Sequence, residues 1–249
     1  MLPDHFFLYV LAGFVAQIID GALGMAYGVT ASSLLISFGV PPAATSATVH
    51  AAECFTTGAS AISHHAFGNV DKFLFRRLLI PAVIGAIIGA YILSSFPGDA
   101  LKPYISGYLI IMGFVIIAKA FKQVPSRNVT SHLVPLGFIG AFVDAVGGGG
   151  WGPIVASNLI ARGNNIRYTV GSVNAVEFFV TLAASATFFF TLGFTHWPII
   201  IGLALGGVGA APLAAWLSKR IPVRPFMVFV GLLVVFLSTR NLLVAFHLI

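Results

Sequence analysis

The chain has 249 residues, of which 58% are hydrophobic and only 8% are charged, and its mean hydropathy is +1.00. Soluble domains carry roughly 25% charged residues, so this composition excludes a soluble globular protein and indicates a multi-pass membrane protein. The net charge of +6 does not indicate a nucleic-acid partner, because the basic residues lie in short loops between apolar segments. There they orient a protein in its membrane. With Asp4 and His5 in place of a basic region, the N-terminus predicts no cleavable signal peptide.

Apolar segments of membrane-spanning length, about 20 residues, recur along the whole chain. The two longest, 6–38 and 133–161, contain the glycine-rich stretches Asp20–Gly28 and Asp144–Gly152. Runs of glycine hold a helix poorly, so we expect each of these segments to be a broken helix. The six remaining predicted spans cover residues 44–66, 73–96, 103–121, 168–193, 197–217 and 225–247.

An internal repeat relates the two halves of the chain at an offset of 124 residues, without a gap. We interpret residues 1–124 and 125–249 as two homologous halves of one integral membrane domain. The matched residues include four of the seven acidic residues, which chance pairing does not readily produce. Matched pairs include Asp20/Asp144, Gly28/Gly152, Glu53/Glu177, Thr57/Thr181 and Gly85/Gly209.

The lysines and arginines indicate that the halves are inverted. If the two broken segments enter and leave on one side, eleven of the 13 basic residues fall on one face, and only Lys102 and Arg240 fall on the other. An arm of about 14 residues is about 21 Å long, too short for a 30 Å core. We therefore predict an all-α membrane protein whose halves each contain one re-entrant or discontinuous helix pair plus three transmembrane helices. Both termini would lie on the outer face of the membrane.

Four acidic residues fall inside predicted membrane segments: Asp20, Glu53, Asp144 and Glu177. Ionisable groups are costly in hydrocarbon and by default mark a transport pathway or a proton relay, so we expect these residues to couple transport to protons. The alternative is structural. A neutral carboxyl group can join two helices by a hydrogen bond, and the two aspartates can cap the second arm of each broken helix.

A polar stripe follows one face of the third apolar segment, where His50, Glu53 and Thr57 are spaced by three and four residues. Asn174, Glu177 and Thr181 occupy the matched positions in the second half. We include His50 in the proton-coupling group. We expect no metal site or other cofactor, because asparagine is a poor ligand and no histidine or cysteine cluster completes a coordination shell.

The broken helices predict an anion site. A helix that restarts after Gly24 or Gly148 aims unpaired N–H groups and its positive dipole end at the break, which suits a small anion. Close helix packing through small residues is the alternative. Gln17 and His64 are expected to be packing or interfacial residues. The predicted substrate contacts are Gly24, Tyr27, Gly28, Thr45, Ser46, Thr57, Gly148, Gly149, Trp151, Gly152, Asn174 and Thr181.

Four short blocks resemble the TauE/SafE family of sulfite exporters. They are Gly39-Val-Pro-Pro-Ala-Ala-Thr-Ser46, Gly68-Asn-Val-Asp71, Gly147-Gly-Gly-Gly-Trp-Gly-Pro153 and Gly171-Ser-Val-Asn174. The resemblance covers nearly the whole chain and includes the duplicated plan. It implies a bacterial-type permease of the cytoplasmic membrane that exports sulfite, sulfoacetate or related sulfur-containing anions, driven by the proton gradient.

The sequence leaves other functions open to different degrees. A cation or divalent-metal permease would use the four intramembrane acids as ligands. An enzyme is not expected, because no Ser/His or paired-aspartate signature stands out. The expected partners are a small anion, protons and the lipid bilayer; no nucleic acid is expected, and a homodimer is left open.

Overall fold

The computed structural model describes residues 5–23, 25–96, 98–121, 129–193, 196–217, 223–246 and 248, and its regular structure is helical throughout that part of the chain. The first half contains α1 (Phe6–Leu23), α2 (Tyr27–Ser37), α3 (Pro42–Ala66), α4 (Lys72–Ser95) and α5 (Gly98–Lys119). The second half contains α6 (Leu133–Gly147), a π-helical turn (Gly152–Ala156) that continues into α7 (Ser157–Ala161), α8 (Ile166–Leu192), α9 (Trp197–Leu217) and α10 (Val223–Ala245).

Each of the six predicted spans forms a single helix. Four helices are long and apolar enough to cross a membrane by length and composition: Lys72–Ser95, Ala100–Lys119, Arg167–Leu192 and Arg224–Ala245. Helix α3 is just as long, at 25 residues, but carries the polar stripe. Large apolar side chains such as Phe7, Phe190 and Phe236 are exposed on the outside of the bundle, as lipid contact requires. The chain is a multi-pass membrane protein with an all-helical fold.

Both glycine-rich segments are broken, and their arms are unequal. In the first half the arms have 18 and 11 residues. In the second half an arm of 15 residues is followed by five residues of π-helix and five of α-helix. The expectation of about 14 residues in each arm therefore fits the first arm of the second half but not the other three arms. At 1.5 Å per residue, α2 is only about 16 Å long and cannot cross a 30 Å hydrocarbon core on its own. A re-entrant path for the pair stays a prediction.

The second break depends on glycine. Gly148, Gly149 and Gly150 have φ angles of +71°, +146° and +146°, a region that side-chain-bearing residues rarely adopt. The matched break in the first half instead places Ala26 at φ +90°. This left-handed alanine costs on the order of 1–2 kcal/mol, so surrounding contacts must hold it in place.

Helix packing follows the 124-residue offset. Helix α1 packs on α9, and α6 packs on α4. The offset matches α1 with α6 and α4 with α9, so these are the same contact in the two halves. Counterparts also pack directly on each other, as α3 on α8 and α5 on α10. Cys54 of α3 meets Ser185 of α8, whereas Ser60 meets Asn174, so this pair runs antiparallel. That direction is what an inverted repeat requires; the orientation of the halves in the bilayer stays a prediction.

Glycines allow these helices to approach closely. Gly85 of α4 lies against the carbonyl of Phe138, and Gly13 of α1 lies against the carbonyl of Leu203. Small residues at helix interfaces are the usual means of close packing in membranes, where water does not drive association. They hold the outer helices tightly around the two breaks.

The other end of α2 contacts α10. Arg240, which the sequence places near the outer end of the last span, donates from Nη1 to the carbonyl oxygen of Ser37 in the last turn of α2. Asn241 donates to the carbonyl of Ser33, one turn earlier. The Arg240 cation thus satisfies the carbonyl of Ser37, one of the last carbonyls of α2, which have no partner within the helix, and lies at the negative end of the helix dipole.

Gly149→Ala should destabilise the fold by about 2–5 kcal/mol, because its methyl group would overlap the backbone of Gly28 and force a positive φ on alanine. Gly107→Ala is the matched control, since no atom lies within 4 Å of a methyl group there. Thermal unfolding in detergent measures the difference. Equal melting temperatures for the two variants would show that the two breaks do not touch.

Candidate functional site

The two breaks meet inside the protein. The backbone of Gly149 lies against that of Gly28, so the break of the second half touches the start of α2 in the first. A cavity of about 260 Å³ lies beside this contact and is lined by both breaks together with α3 and α8. The residues that begin α2 and the π-helical turn, Gly28 and Gly152 among them, also line this cavity.

All four predicted intramembrane acids line this one cavity: Asp20, Glu53, Asp144 and Glu177. Glu53 is only 4% exposed, and its carboxyl group lies within electrostatic range of the other three. A methyl group added at Gly28 would lie 3.0 Å from the Glu53 Oε1 atom, so glycine leaves room for this carboxyl. Four ionised carboxyl groups in so small a volume within a bilayer would repel one another, which favours the binding of protons or cations there.

The two aspartates cap the second arms. Asp20 Oδ1 accepts a hydrogen bond of 3.3 Å from the Tyr27 amide, and Asp144 Oδ1 accepts one of 2.8 Å from the Trp151 amide. These amides open the second arm of each broken helix, where no preceding turn supplies an acceptor. The structural alternative for the aspartate pair is therefore realised in the geometry. Capping and a proton-coupling role do not exclude each other, and the latter stays a prediction.

His50 does not line the cavity but stands behind Asp144. Its Nε2 lies 3.1 Å from Asp144 Oδ2, and both side chains are almost fully buried. Its Nδ1 lies 2.8 Å from the carbonyl oxygen of Ser46, which can only accept, so Nδ1 carries a hydrogen. One further proton must then lie between Nε2 and Oδ2, either on the imidazole or on the carboxyl group. The pair is neutral overall in both cases.

The second half has no equivalent of this pair. Asn174, which matches His50, donates from Nδ2 to the Ser60 hydroxyl at 2.9 Å and lines the cavity directly. The two halves thus share the capping aspartates but differ in what stands next to them.

The aromatic residues Tyr27 and Trp151 form fixed walls. Both line the cavity, as predicted for the repeat pair. The Tyr27 hydroxyl donates to the carbonyl of Leu203 at 3.4 Å, and the Trp151 indole donates to the carbonyl of Val173 at 3.1 Å. Because their polar hydrogens are already used, these side chains offer a ligand shape but no hydrogen-bond donor.

The predicted substrate contacts divide into two groups. Besides the aromatic walls, Gly28, Thr57, Gly152 and Asn174 line the cavity. The others are used elsewhere: the hydroxyls of Thr45, Ser46 and Thr181 donate to the carbonyls of Val40, Ala145 and Phe178, and the carbonyls of Gly148 and Gly149 accept from Ser32 and Tyr108. Gly24 lies outside the described residues.

Sequence reasoning missed four polar lining residues: Gln17, Thr56, Ser60 and His64. Gln17 and His64, which are expected from the sequence to be packing or interfacial residues, also line this cavity. A signal was present for two of the four, because Ser60 and His64 continue the α3 stripe at helical spacing for two further turns. Gln17 lies three residues before Asp20 on α1, on the same side of that helix.

An all-helical membrane fold in which two interrupted helices converge on a buried polar cavity is typical of membrane transporters. The sequence model of the family described as "Sulfite exporter TauE/SafE" matches residues 9–241. The chain therefore belongs to the TauE/SafE family, and the predicted resemblance is confirmed.

Curated relatives carry transporter names. The chain is 44% identical, over an alignment of 247 residues, to "Probable membrane transporter protein YtnM" of Bacillus subtilis (strain 168), covering 95% of this chain and 82% of that one. It is 26% identical over 237 residues to "Probable membrane transporter protein ORF9" of Sinorhizobium sp, covering 91% and 88% of the two chains. No solved structure gives a significant match.

Two replacements of Asp20 test whether its side chain caps the second arm, since both remove the charge but only one keeps an acceptor. Asp20→Asn keeps an oxygen that can accept from the Tyr27 amide, whereas Asp20→Ala leaves that amide without its partner. We expect the alanine variant to lose about 1 kcal/mol of stability relative to the asparagine variant. Thermal unfolding of both purified proteins measures this. If the two variants melted at the same temperature, Asp20 would not be a cap.

Proposed function

We propose that this protein is a secondary transporter for small sulfur-containing anions, such as sulfite and organosulfonates, and that it couples their movement to protons. The observation that carries the proposal is the convergence of four carboxyl groups and two helix starts on one buried cavity. The description of the family, sulfite exporter, supports the choice of anion.

An anion would be held by neutral donors. Gly28 and Gly152 line the cavity in the first turn of each second arm, where amides have no acceptor within the helix. The hydroxyl of Ser60 on α3 and the second amide hydrogen of Asn174 on α8 add further donors, whereas the Thr57 hydroxyl already donates to the carbonyl of Glu53. Charged and planar oxyanions are commonly held this way at helix starts. A cavity of about 260 Å³ has room for such an anion and a few waters, each of which takes about 30 Å³ in the liquid.

Protonation of the acidic residues would remove their repulsion of a bound anion. An ionised carboxylate next to a bound anion repels it, and the repulsion is strong where water is largely excluded. The anion therefore binds best when Glu53 and Glu177 hold protons, and by linkage a bound anion favours proton uptake to the same degree. Because both species are favoured in the same cavity state, they would cross the membrane together. The membrane potential and the two concentration gradients then set the direction of net transport.

Sulfite flux into proteoliposomes tests the coupling. For the wild-type protein, flux should rise when the side that holds the anion is made more acidic. Glu53→Gln and Glu177→Gln should each reduce the gradient-driven flux at least about tenfold, a loss of about 1.4 kcal/mol, because the amide cannot exchange a proton.

Asp71→Asn is the matched control for these variants. It also removes one carboxylate, but Asp71 caps α4 away from the cavity, and asparagine caps a helix equally well. Its flux should stay close to that of the wild-type protein. Sulfite flux that ignored the pH gradient would overturn proton coupling, and equal losses in all three variants would show that the glutamates have no special role.

One observation favours a cation as a second candidate substrate. The described residues that line the cavity include four acids and no lysine or arginine. With the carboxyl groups ionised, such a cavity would attract a cation. The same proteoliposomes distinguish the candidates: currents evoked by divalent cations but not by sulfite or sulfoacetate would favour cation transport.

A further inference from the structure

A second cavity, of about 810 Å³, opens on the outside of the bundle between α3, α4 and α8. We call it the lateral groove. Most of its lining is apolar, with Ile62 on α3, Phe75 on α4 and Phe178 and Phe179 on α8. The proposed transport cavity shares none of its lining residues.

The shape of the groove comes from small and aromatic residues. On the α3 side, the small residues Gly58 and Ala61 leave the groove open. A methyl group added at Gly58 would lie 3.2 Å from the Phe178 ring. On the other side, Phe179 packs edge-on against Phe75 with ring centroids 5.9 Å apart. Phe179 remains 40% exposed and Ile62 74% exposed. In a membrane protein an open apolar surface of this kind faces lipid.

One end of the groove is basic. Lys72 and Arg76 lie four residues apart on one face of α4, and His65 lies in the last turn of α3. All three side chains are exposed. The nearby carboxyl group of Asp71 is used to cap α4, where it accepts from the amides of Phe73 and Leu74. Lys72 and Arg76 carry two positive charges against the one negative charge of Asp71, so the basic end keeps an excess of positive charge.

The two ends of the groove lie at different depths. From Gly58 to Ala66 at the end of α3 there are eight residues, or about 12 Å of helix. The basic residues lie where α3 ends and α4 begins, the level at which helices meet the lipid headgroups. The apolar part then extends toward the hydrocarbon. Polarity that changes in this way along one groove matches an amphiphile and not a free ion.

We propose that the lateral groove binds an anionic phospholipid. Its phosphate lies between Lys72, Arg76 and His65, and the upper part of an acyl chain follows Phe75, Phe178 and Phe179. Positive groups at the headgroup level attract anionic lipids, and guanidinium groups pair well with phosphate. A zwitterionic lipid offers the same acyl chain but no net charge, so the groove selects for the headgroup.

Lipid retention by the purified full-length protein tests the site, with phosphatidylglycerol and phosphatidylcholine as probes and native mass spectrometry as the readout. Arg76→Gln should reduce retention of phosphatidylglycerol about fivefold, as expected for the loss of one cation at the membrane surface. Arg77→Gln is the matched control, because Arg77 is the next residue on the same helix, but its guanidinium lies over the Phe73 ring and not in the groove. Retention of phosphatidylglycerol by the Arg77→Gln variant should equal that of the wild-type protein.

Two further arms identify the occupant. Ala61→Leu fills the apolar part without changing charge, and it should lower retention of phosphatidylglycerol while the protein stays monodisperse. Glycerol phosphate, which has the headgroup chemistry without acyl chains, should not displace the bound lipid.

Three results would overturn the proposal: equal retention of the two lipids, equal effects of Arg76→Gln and Arg77→Gln, or full displacement by glycerol phosphate. A dimer in the native spectrum that disappears in Ala61→Leu would instead assign the groove to a second copy of the chain. The melting temperatures of all variants serve as the control for misfolding. The arginine variants should melt like the wild-type protein, because both arginines are exposed.

Discussion

The direct contact between the backbones of Gly28 and Gly149 is the constraint on which the interior depends. Neither position has room for a side chain, so the two interrupted helices can touch only because both are glycine there. The contact brings the starts of both second arms, and the aspartates that cap them, into one place. In a bilayer such freed backbone groups must be satisfied by protein or face a polar cavity, and here both happen. The proposed site is thus a consequence of breaking two helices at the same point.

The two halves of the chain place matching elements around the cavity, but they differ chemically. Each contributes a capping aspartate, a cavity-facing glutamate and an aromatic wall. In the first half, His50 contacts Asp144, whereas the matched position in the second half is Asn174, which contacts Ser60. The His50–Asp144 pair carries a proton in a water-poor interior and connects α3 to the opposite break. At these matched positions α3 therefore has an imidazole beside an aspartate, whereas α8 has an amide that lines the cavity.

Much of this arrangement can be predicted from the sequence, because it follows from features that act locally. The glycine run Gly147–Gly150 predicts a break, and the 124-residue offset identifies its counterpart. Other features depend on tertiary contacts that no single segment encodes. Ala26 takes a left-handed conformation that its sequence does not favour. The inclusion of Gln17 in the cavity, and the exclusion of Thr181, follow from how α1, α3 and α8 pack.

Net proton exchange on substrate binding tests the central claim most directly. Sulfoacetate is a suitable probe because its own charge does not change near neutral pH. Its binding to the purified protein is measured by titration calorimetry in two buffers of different ionisation enthalpy. Proton coupling through the four-carboxyl cavity requires a buffer-dependent enthalpy that corresponds to proton uptake, and this dependence should disappear in the Glu53→Gln/Glu177→Gln variant. Binding with the same enthalpy in both buffers would contradict a cavity in which the anion and protons are held together.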